Sequence, residues 1–168
     1  MLTASNLYQP IATSFAAIVV VCVTGYFAWH QREIAREQAR IAKEKLRLDL
    51  YDRRFEIFTS IFDFYDAMIA WNGTPEQQNV RKRFFRAYQE SCFLFTKESG
   101  IEALLKMLND EGNKVIGFKE NRESYKSDPA FLIDQFNKST DIQLRVFDEG
   151  LAKLRAAMQQ YLDFSKVL

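Results

Sequence analysis

Hydrophobic residues dominate the start of the chain, and the charged residues are confined to the remaining positions. None of the first 31 residues is charged, and residues 11–29 form a continuous, largely apolar run. At a rise of 1.5 Å per residue, about 19 residues cross a hydrocarbon core of roughly 30 Å. A helix that is apolar on every face and is followed at once by dense charge suits a bilayer better than a protein core. The pattern predicts a transmembrane helix over residues 11–29.

The flanking charges predict the orientation of this helix. Basic residues follow the run and none precedes it; the nearest four are Arg32, Arg36, Arg40 and Lys43. Basic flanks stay on the cytoplasmic side, so we expect a short extracytoplasmic tail over residues 1–10 and a cytoplasmic C-terminal domain. The same four side chains are candidates for contact with anionic lipid headgroups. A cleaved signal peptide is disfavoured, because such peptides begin with basic residues.

Beyond this run, apolar residues recur every seven positions. The row consists of Ile34, Ile41, Leu48, Phe55, Phe62 and Ile69, joined by Tyr51, Phe58 and Tyr65. Neither proline nor glycine occurs between Trp29 and Gly73, so one helix is expected to leave the membrane as a charged juxtamembrane stalk over residues 30–50. The candidates for packing or self-association are six of these residues: Ile34, Ile41, Leu48, Phe55, Phe58 and Phe62.

Two interpretations of the stalk remain open. The narrow stripe is compatible with the seam of a parallel coiled coil, although the companion positions before Tyr51 are Glu37 and Glu44. Alternatively, the stalk is a solvated helix stabilised by pairs such as Arg40 with Glu44. Just after it, Asp49 and Arg53 stand four residues apart with the acid first, which predicts a structural ion pair.

Local start signals divide the rest of the chain into helices. A capping residue, a proline or a capping box marks each of three starts: Thr74-Pro75 with Gln77, Ser99 with Glu102, and Asp128-Pro129. No segment shows the alternating pattern of a strand. The sequence therefore predicts an all-α fold, in which residues 51–168 form an antiparallel bundle of about four helices.

Spacings of three and four predict which faces of these helices are buried. On the helix after Thr74, the expected face comprises Val80, Phe84, Tyr88, Cys92 and Phe95. After a pause near residues 137–140, the last helix presents Leu144, Phe147, Leu151, Leu154, Met158 and Tyr161. Gly112 lies on the apolar stripe of the helix that follows Ser99. There it either permits close approach of another helix or marks a bend.

Composition and side-chain inventory mainly exclude functions. The 168 residues carry 23 Lys and Arg against 22 Asp and Glu, and a net charge of +1 does not suit a general nucleic-acid binder. His30 is the single histidine, and the two cysteines, Cys22 and Cys92, lack the spacing of a zinc site or a disulfide scaffold. The position of Cys92 on an apolar face predicts an inert buried thiol. We expect no catalytic, metal or cofactor site, no small-molecule substrate and no nucleic-acid partner.

The densest basic cluster is Arg81-Lys82-Arg83 with Arg86, interleaved by Phe84 and Phe85. Basic and aromatic residues in alternation occur on single-strand binding surfaces. On a helix, consecutive charges spread around the circumference, which favours a solvated face over contact with anionic lipid or nucleic acid.

Three blocks carry a resemblance: LRLDLYDRRFEIF over residues 46–58, ESCFLF over 90–95 and YLDFS over 161–165. In these blocks the chain resembles a group of small bacterial single-pass membrane proteins, which have an L-D-L-[YF]-[DE]-[RK]-R-[FY] helix after an N-terminal span. The resemblance implies a bacterial inner-membrane anchor with a helical cytoplasmic body. It implies no catalytic residues.

Together these patterns predict a membrane-anchored, non-enzymatic interaction or scaffold module. Its partner is expected to be another protein or further copies of the same chain, so that it acts as an accessory subunit or as a self-associating tether. The alternative is a membrane-perturbing effector, as in toxin or phage-defence systems.

Overall fold

The computed structural model describes the backbone of residues 5–163 and the side chains from residue 17 to residue 163. Three parts of the sequence predictions therefore lie outside the described side chains. They are the expected tail over residues 1–10, residues 11–16 of the expected span, and residues 164–165 of the YLDFS block. The first helix, α1, covers Ser5–Ile69. The chain divides into two compact units, residues 1–47 and residues 48–168, which are described separately.

The first unit is helical from Ser5 onward, and every residue from 17 to 47 is exposed. The Thr24 hydroxyl donates a hydrogen bond to the carbonyl of Val20 at 2.7 Å, which satisfies this polar group within its own helix. No described helix combines the length and the apolar character needed to cross a bilayer.

The second unit is a helical bundle, which confirms the predicted all-α class. No strand occurs among residues 5–163. After α1, the elements are α2 (Pro75–Leu94), a 3₁₀ turn (Lys97–Ser99), α3 (Ile101–Asn121), a second 3₁₀ turn (Ser124–Ser127), α4 (Pro129–Asp141), a π-helical turn (Ile142–Val146) and α5 (Phe147–Leu162).

Helices begin at all three predicted starts, and two of the three predicted caps are confirmed. Thr74 and Gln77 form the complete capping box of α2, and the Asp128 carboxylate accepts a hydrogen bond from the Phe131 N–H at 3.1 Å to cap α4. The predicted box of Ser99 with Glu102 is wrong. Gly100, at φ 68°, takes the N-cap position of α3 without a side-chain cap. A left-handed residue is needed there because the preceding 3₁₀ turn ends at the same point.

Gln77 also joins the end of α1 to the start of α2. Its side-chain oxygen accepts from the N–H groups of Asn72 and Thr74 at 2.8 and 3.3 Å, and its Nε2 donates to the carbonyl of Ala70 at 2.7 Å. We expect Gln77→Ala to lower the free energy of unfolding by about 1–2 kcal/mol, because three side-chain hydrogen bonds are lost, one of which is the Gln77 half of the capping box. Denaturant unfolding of the purified chain measures this.

Gln89→Ala is the matched control for that substitution. Gln89 lies on the same helix with an exposed side chain, so its replacement is expected to change stability by less than about 0.5 kcal/mol. Equal effects of the two substitutions would contradict the bridging role of Gln77.

Aromatic rings from three helices meet at the centre of the bundle. The Phe64 ring of α1 stacks on Phe84 of α2 with centroids 4.7 Å apart and lies 6.4 Å from Phe147 of α5. All three side chains are completely buried. A β-carbon added at Gly112 of α3 would lie 2.5 Å from Cε1 of Phe64, so this glycine permits the close approach of a ring and does not mark a bend.

The buried face of α1 differs from the apolar row that recurs every seven residues. Ile57, Ile61, Phe64 and Met68 form the core side of this helix, whereas Phe58, Phe62 and Tyr65 are only partly buried beside it. The row that recurs every seven residues therefore flanks the core and does not form it.

The predicted burial of Cys92 is wrong. Cys92 is exposed, and Ser91 is buried in its place. At 3.6 residues per turn, position 91 lies about 20° from Phe84 around the helix and position 92 about 80° from it. Ser91 tolerates burial because its hydroxyl donates to the carbonyl of Tyr88 at 2.6 Å.

The predicted pause before the last helix is also wrong, and so is the burial of Leu144. The chain stays helical through the π-helical turn, and the Leu144 side chain is 69% exposed. A π turn holds more residues than an α turn, so the faces before and after it are out of phase. The Gln143 carbonyl in this turn accepts a hydrogen bond from the Tyr65 hydroxyl at 3.1 Å, and the Tyr65 ring stacks on Phe147 at 5.2 Å.

Candidate functional site

Large apolar side chains recur every seven residues along the sequence of α1, and we call four of them the heptad row: Ile34, Ile41, Leu48 and Phe55. Ile34 and Ile41 belong to the first unit and are 52% and 54% exposed. Leu48 and Phe55 belong to the second unit and are 46% and 45% exposed. Half-exposed aliphatic and aromatic side chains at a constant spacing are typical of a surface that packs against another helix.

In the first unit, charged residues between the row members pair along the helix. Arg40 donates hydrogen bonds to both carboxylate oxygens of Glu37, the Nε bond being 3.1 Å long, and lies 3.9 Å from a carboxylate oxygen of Glu44. The hydrogen bond from Arg40 holds the pKa of Glu37 below its usual value, and the same bond raises the pKa of Arg40. The predicted pairing of Arg40 with Glu44 is confirmed.

The candidate lipid-contacting residues of this unit are all exposed. Arg32, Arg36 and Lys43 present their side chains to the surroundings, and Arg40 is engaged by Glu37. His30, at the end of the apolar run, lies with Nδ1 3.7 Å from a carboxylate oxygen of Glu33.

In the second unit, the row continues into a series of aromatic contacts. Tyr51 stacks on Phe55 at 6.1 Å, Phe55 lies 6.4 Å from Phe58, and Phe58 meets Phe62 edge to face at 5.0 Å. Phe58 and Phe62 pack against the core, and Phe58 borders Leu162 near the end of α5. The same sequence pattern is thus partly covered by the bundle from Phe58 to Tyr65, and it is about half exposed at Leu48, Phe55 and Ile69.

Arg54 fixes three elements at this end of the bundle. Its Nε donates to the carbonyl of Leu94 at 3.2 Å, and its guanidinium lies 4.9 Å from the centre of the Tyr161 ring and 5.8 Å from that of Phe95. The sequence patterns did not single out Arg54. The sequence does place Arg54 between two aromatic residues, Tyr51 and Phe55, and this position is the feature that could have identified it.

Neighbouring Asp49 and Arg53 do not form the predicted pair. No ion pair within 4.0 Å joins them among the contacts of the described residues.

A groove of about 750 Å³ lies between α1 and α2, and Arg53 is one of its lining residues. Most of the basic cluster of α2 also lines this groove, but so do four acidic residues: Glu56, Asp63, Glu76 and Glu90. Asp63 pairs with Arg83 at 3.5 Å. Basic and acidic side chains therefore balance each other here.

Other chemistry is limited in the part of the chain that the structure describes. No three His, Cys, Asp or Glu side chains among these residues come together as a metal site. Lys119 has a pKa lowered by burial, and its ammonium donates to the carbonyls of Met68 and Ile69 at the end of α1. That contact caps a helix C-terminus.

No protein-family model, curated protein or solved structure matches this chain. The resemblance carried by the three sequence blocks therefore stays a prediction. The heptad row is the main indication of function that the residues themselves provide.

Proposed function

We propose that this chain is a membrane-anchored, non-enzymatic interaction module, acting as an accessory subunit or as a self-associating tether. The heptad row carries the proposal. Its four large apolar side chains are each about half exposed, while core positions on the same α1 helix, such as Ile61 and Phe64, are completely buried. Exposed apolar surface costs solvation free energy, so its repetition at constant spacing supports a role in binding.

The proposed anchor is the uncharged run over residues 11–29. Its support comes from the sequence: the length of the run, and the basic residues Arg32, Arg36, Arg40 and Lys43 that follow it. In this proposal the chain is a single-pass protein of a bacterial inner membrane, with its N-terminus outside and its bundle in the cytoplasm. The basic residues would then lie at headgroup level, where each contributes about 1 kcal/mol with anionic lipid.

The test of the proposed function is purification in mild detergent from native membranes at native expression level. We expect the chain in the membrane fraction, resistant to alkaline carbonate, within a complex of defined mass. A stoichiometric foreign polypeptide identifies an accessory subunit, and a complex of identical chains identifies a self-associating tether.

Deletion of residues 1–31 is the matched variant for the anchor, because it removes only uncharged sequence. We expect the deleted chain in the soluble fraction with its bundle folded, as judged by circular dichroism. Recovery of the full-length chain as a soluble monomer would overturn the proposed function.

A further inference from the structure

A second groove of the bundle lies between α2 and α3, and its lining is mainly basic. Arg81, Lys82 and Arg86 of α2 line this α2–α3 groove of about 590 Å³. Glu120 of α3 is the only carboxylate among the described residues that line it. Acidic and basic side chains balance in the groove between α1 and α2, whereas this one has a net positive charge. Its volume is typical of a site for a small molecule.

Helical spacing explains why three cations of the basic cluster share the α2–α3 groove. Residues three and four positions apart lie on one stripe of a helix. The stripe of α2 that lines the groove consists of Gln78, Arg81, Lys82, Phe85 and Arg86. Arg83 lies on another side of the helix, where it pairs with Asp63 of α1 at 3.5 Å. The helix therefore separates one paired cation from three that face a common space.

These three cations have no anionic partner among the described residues. No carboxylate oxygen lies within 4.0 Å of the charged groups of Arg81, Lys82 and Arg86. Glu120 instead accepts a hydrogen bond from Nε1 of Trp71 at 3.2 Å, and the Arg81 guanidinium lies 6.0 Å from the centre of the Trp71 ring. Like charges on one stripe repel each other, so an anion in the groove would be attracted by all three.

Two further features indicate which kind of anion fits. The Phe85 ring lines the groove and is 49% exposed, so it offers an apolar face to a planar ring. Asn113 of α3 also lines the groove. Its Nδ2 donates to the carbonyl of Asn109 at 2.7 Å, and its Oδ1 is buried without a hydrogen-bond partner among the described residues. An unsatisfied acceptor costs free energy, so this site favours a molecule that brings an N–H or O–H donor.

We propose that the α2–α3 groove binds a single nucleotide. The phosphate is bound by Arg81, Lys82 and Arg86, because guanidinium groups form paired, charge-assisted hydrogen bonds with phosphate oxygens. The base packs on the ring of Phe85, and the amino and hydroxyl groups of base and ribose are the donors. A ligand site of this kind goes beyond the proposed anchoring function and does not depend on it.

The surroundings of the groove favour one nucleotide over a nucleic-acid strand. Lys82 and Arg86 also line the neighbouring groove between α1 and α2, which carries four carboxylates. These carboxylates would repel a phosphate backbone that continued in that direction. The net charge of the whole chain, +1, does not provide a longer basic track either.

Titration of the full-length chain in mild detergent tests the proposal. The probes are the monophosphates and diphosphates of adenosine, guanosine, cytidine and uridine, and binding is measured by isothermal titration calorimetry. We expect at least one probe to bind at one site per chain with a dissociation constant below about 100 μM. Binding should weaken as salt is added, because salt screens exposed charges. The absence of saturable binding for every probe would overturn the proposal.

Substitutions of single arginines assign the binding to this groove. We expect Arg81→Gln and Arg86→Gln each to weaken nucleotide binding by at least about tenfold, because each removes a charge-assisted contact to phosphate. Arg83→Gln is the matched control, since it removes the same charge from the same helix and loses only the surface pair with Asp63. Arg86 is exposed, so its variant is expected to keep the circular dichroism and thermal unfolding of the parent. Equal affinities of the Arg86→Gln and Arg83→Gln chains would overturn the assignment.

A third variant separates a nucleotide from other phosphorylated ligands. We expect Phe85→Ala to weaken nucleotide binding by at least about fivefold and to leave the weaker binding of ribose phosphate unchanged, because only the base packs on this ring. Inorganic phosphate or glycerol phosphate binding as tightly as the best nucleotide would indicate a site for phosphate or a lipid headgroup and would overturn the proposal. Binding of an RNA oligonucleotide more than about tenfold tighter than that of the best nucleotide would indicate a strand-binding surface and would overturn it as well.

Discussion

Phe64→Ala is expected to lower the free energy of unfolding by about 3–5 kcal/mol, the range found when a fully buried aromatic side chain is truncated. The Phe64 ring is completely buried, stacks on Phe84 at 4.7 Å and closes on the bare backbone of Gly112. Its removal leaves a cavity between three helices. Such a loss is a large fraction of the stability of a typical domain. Denaturant unfolding, followed by circular dichroism, measures it.

Phe93→Ala is the control for this substitution, because it removes the same side chain from an exposed position. Phe93 is 87% exposed near the end of α2, so its truncation is expected to change stability by less than about 0.5 kcal/mol. If the two variants lost similar stability, the ring of Phe64 would not be the centre of the core.

Gly112→Ala is expected to destabilise the bundle by about 1–3 kcal/mol, as other insertions into close-packed cores do. The new β-carbon would lie 2.5 and 2.7 Å from two ring atoms of Phe64 and 3.2 Å from Phe147. The ring cannot retreat, because Phe84 packs against it. This clash exceeds the gain in helix propensity of up to about 1 kcal/mol.

Gly117→Ala on the same helix is expected to act in the opposite direction. Nothing lies within 4 Å of a β-carbon added at Gly117, so only the propensity term remains and stability should rise by up to about 1 kcal/mol. Thermal melts of the two variants measured together provide the comparison. In addition, Phe64→Leu should relieve the penalty of Gly112→Ala, because the two sites share one space.

The heptad row explains how one sequence pattern serves two purposes. In the second unit, the bundle partly covers the pattern from Phe58 to Tyr65, and Arg54 contacts Leu94 and Tyr161 where this coverage begins. Immediately before that point, Leu48 and Phe55 are exposed. The pattern therefore identified an apolar stripe correctly, and the positions of the neighbouring helices determined which of its members remain available for binding.

The candidate site could be predicted in its residues but not in its exposure. The seven-residue repeat singled out Ile34, Ile41, Leu48 and Phe55 without any structure. The same repeat also included Phe62, which the core partly covers. Spacing reports which residues share a helix face, whereas exposure depends on whether another element lies opposite that face.

The all-α class and the starts of α2 and α4 were determined by the sequence itself. The capping box of Thr74 with Gln77 and the Asp128 cap form between residues at most three positions apart, so local sequence is sufficient to specify them. The start of α3 agrees with the sequence, but its cap was predicted wrongly, because the positive φ of Gly100 depends on how the preceding 3₁₀ turn ends.

Only the tertiary structure decided which side chains are buried where a helix face is ambiguous. Gly112 receives the Phe64 ring from a helix that is distant in sequence, and Leu144 points outward because a π-helical turn shifts the phase of the helix face. Hydrogen bonds within a turn are short-range and are encoded where they form. Burial is a property of the packed bundle, so it is decided only when all of its helices are in place.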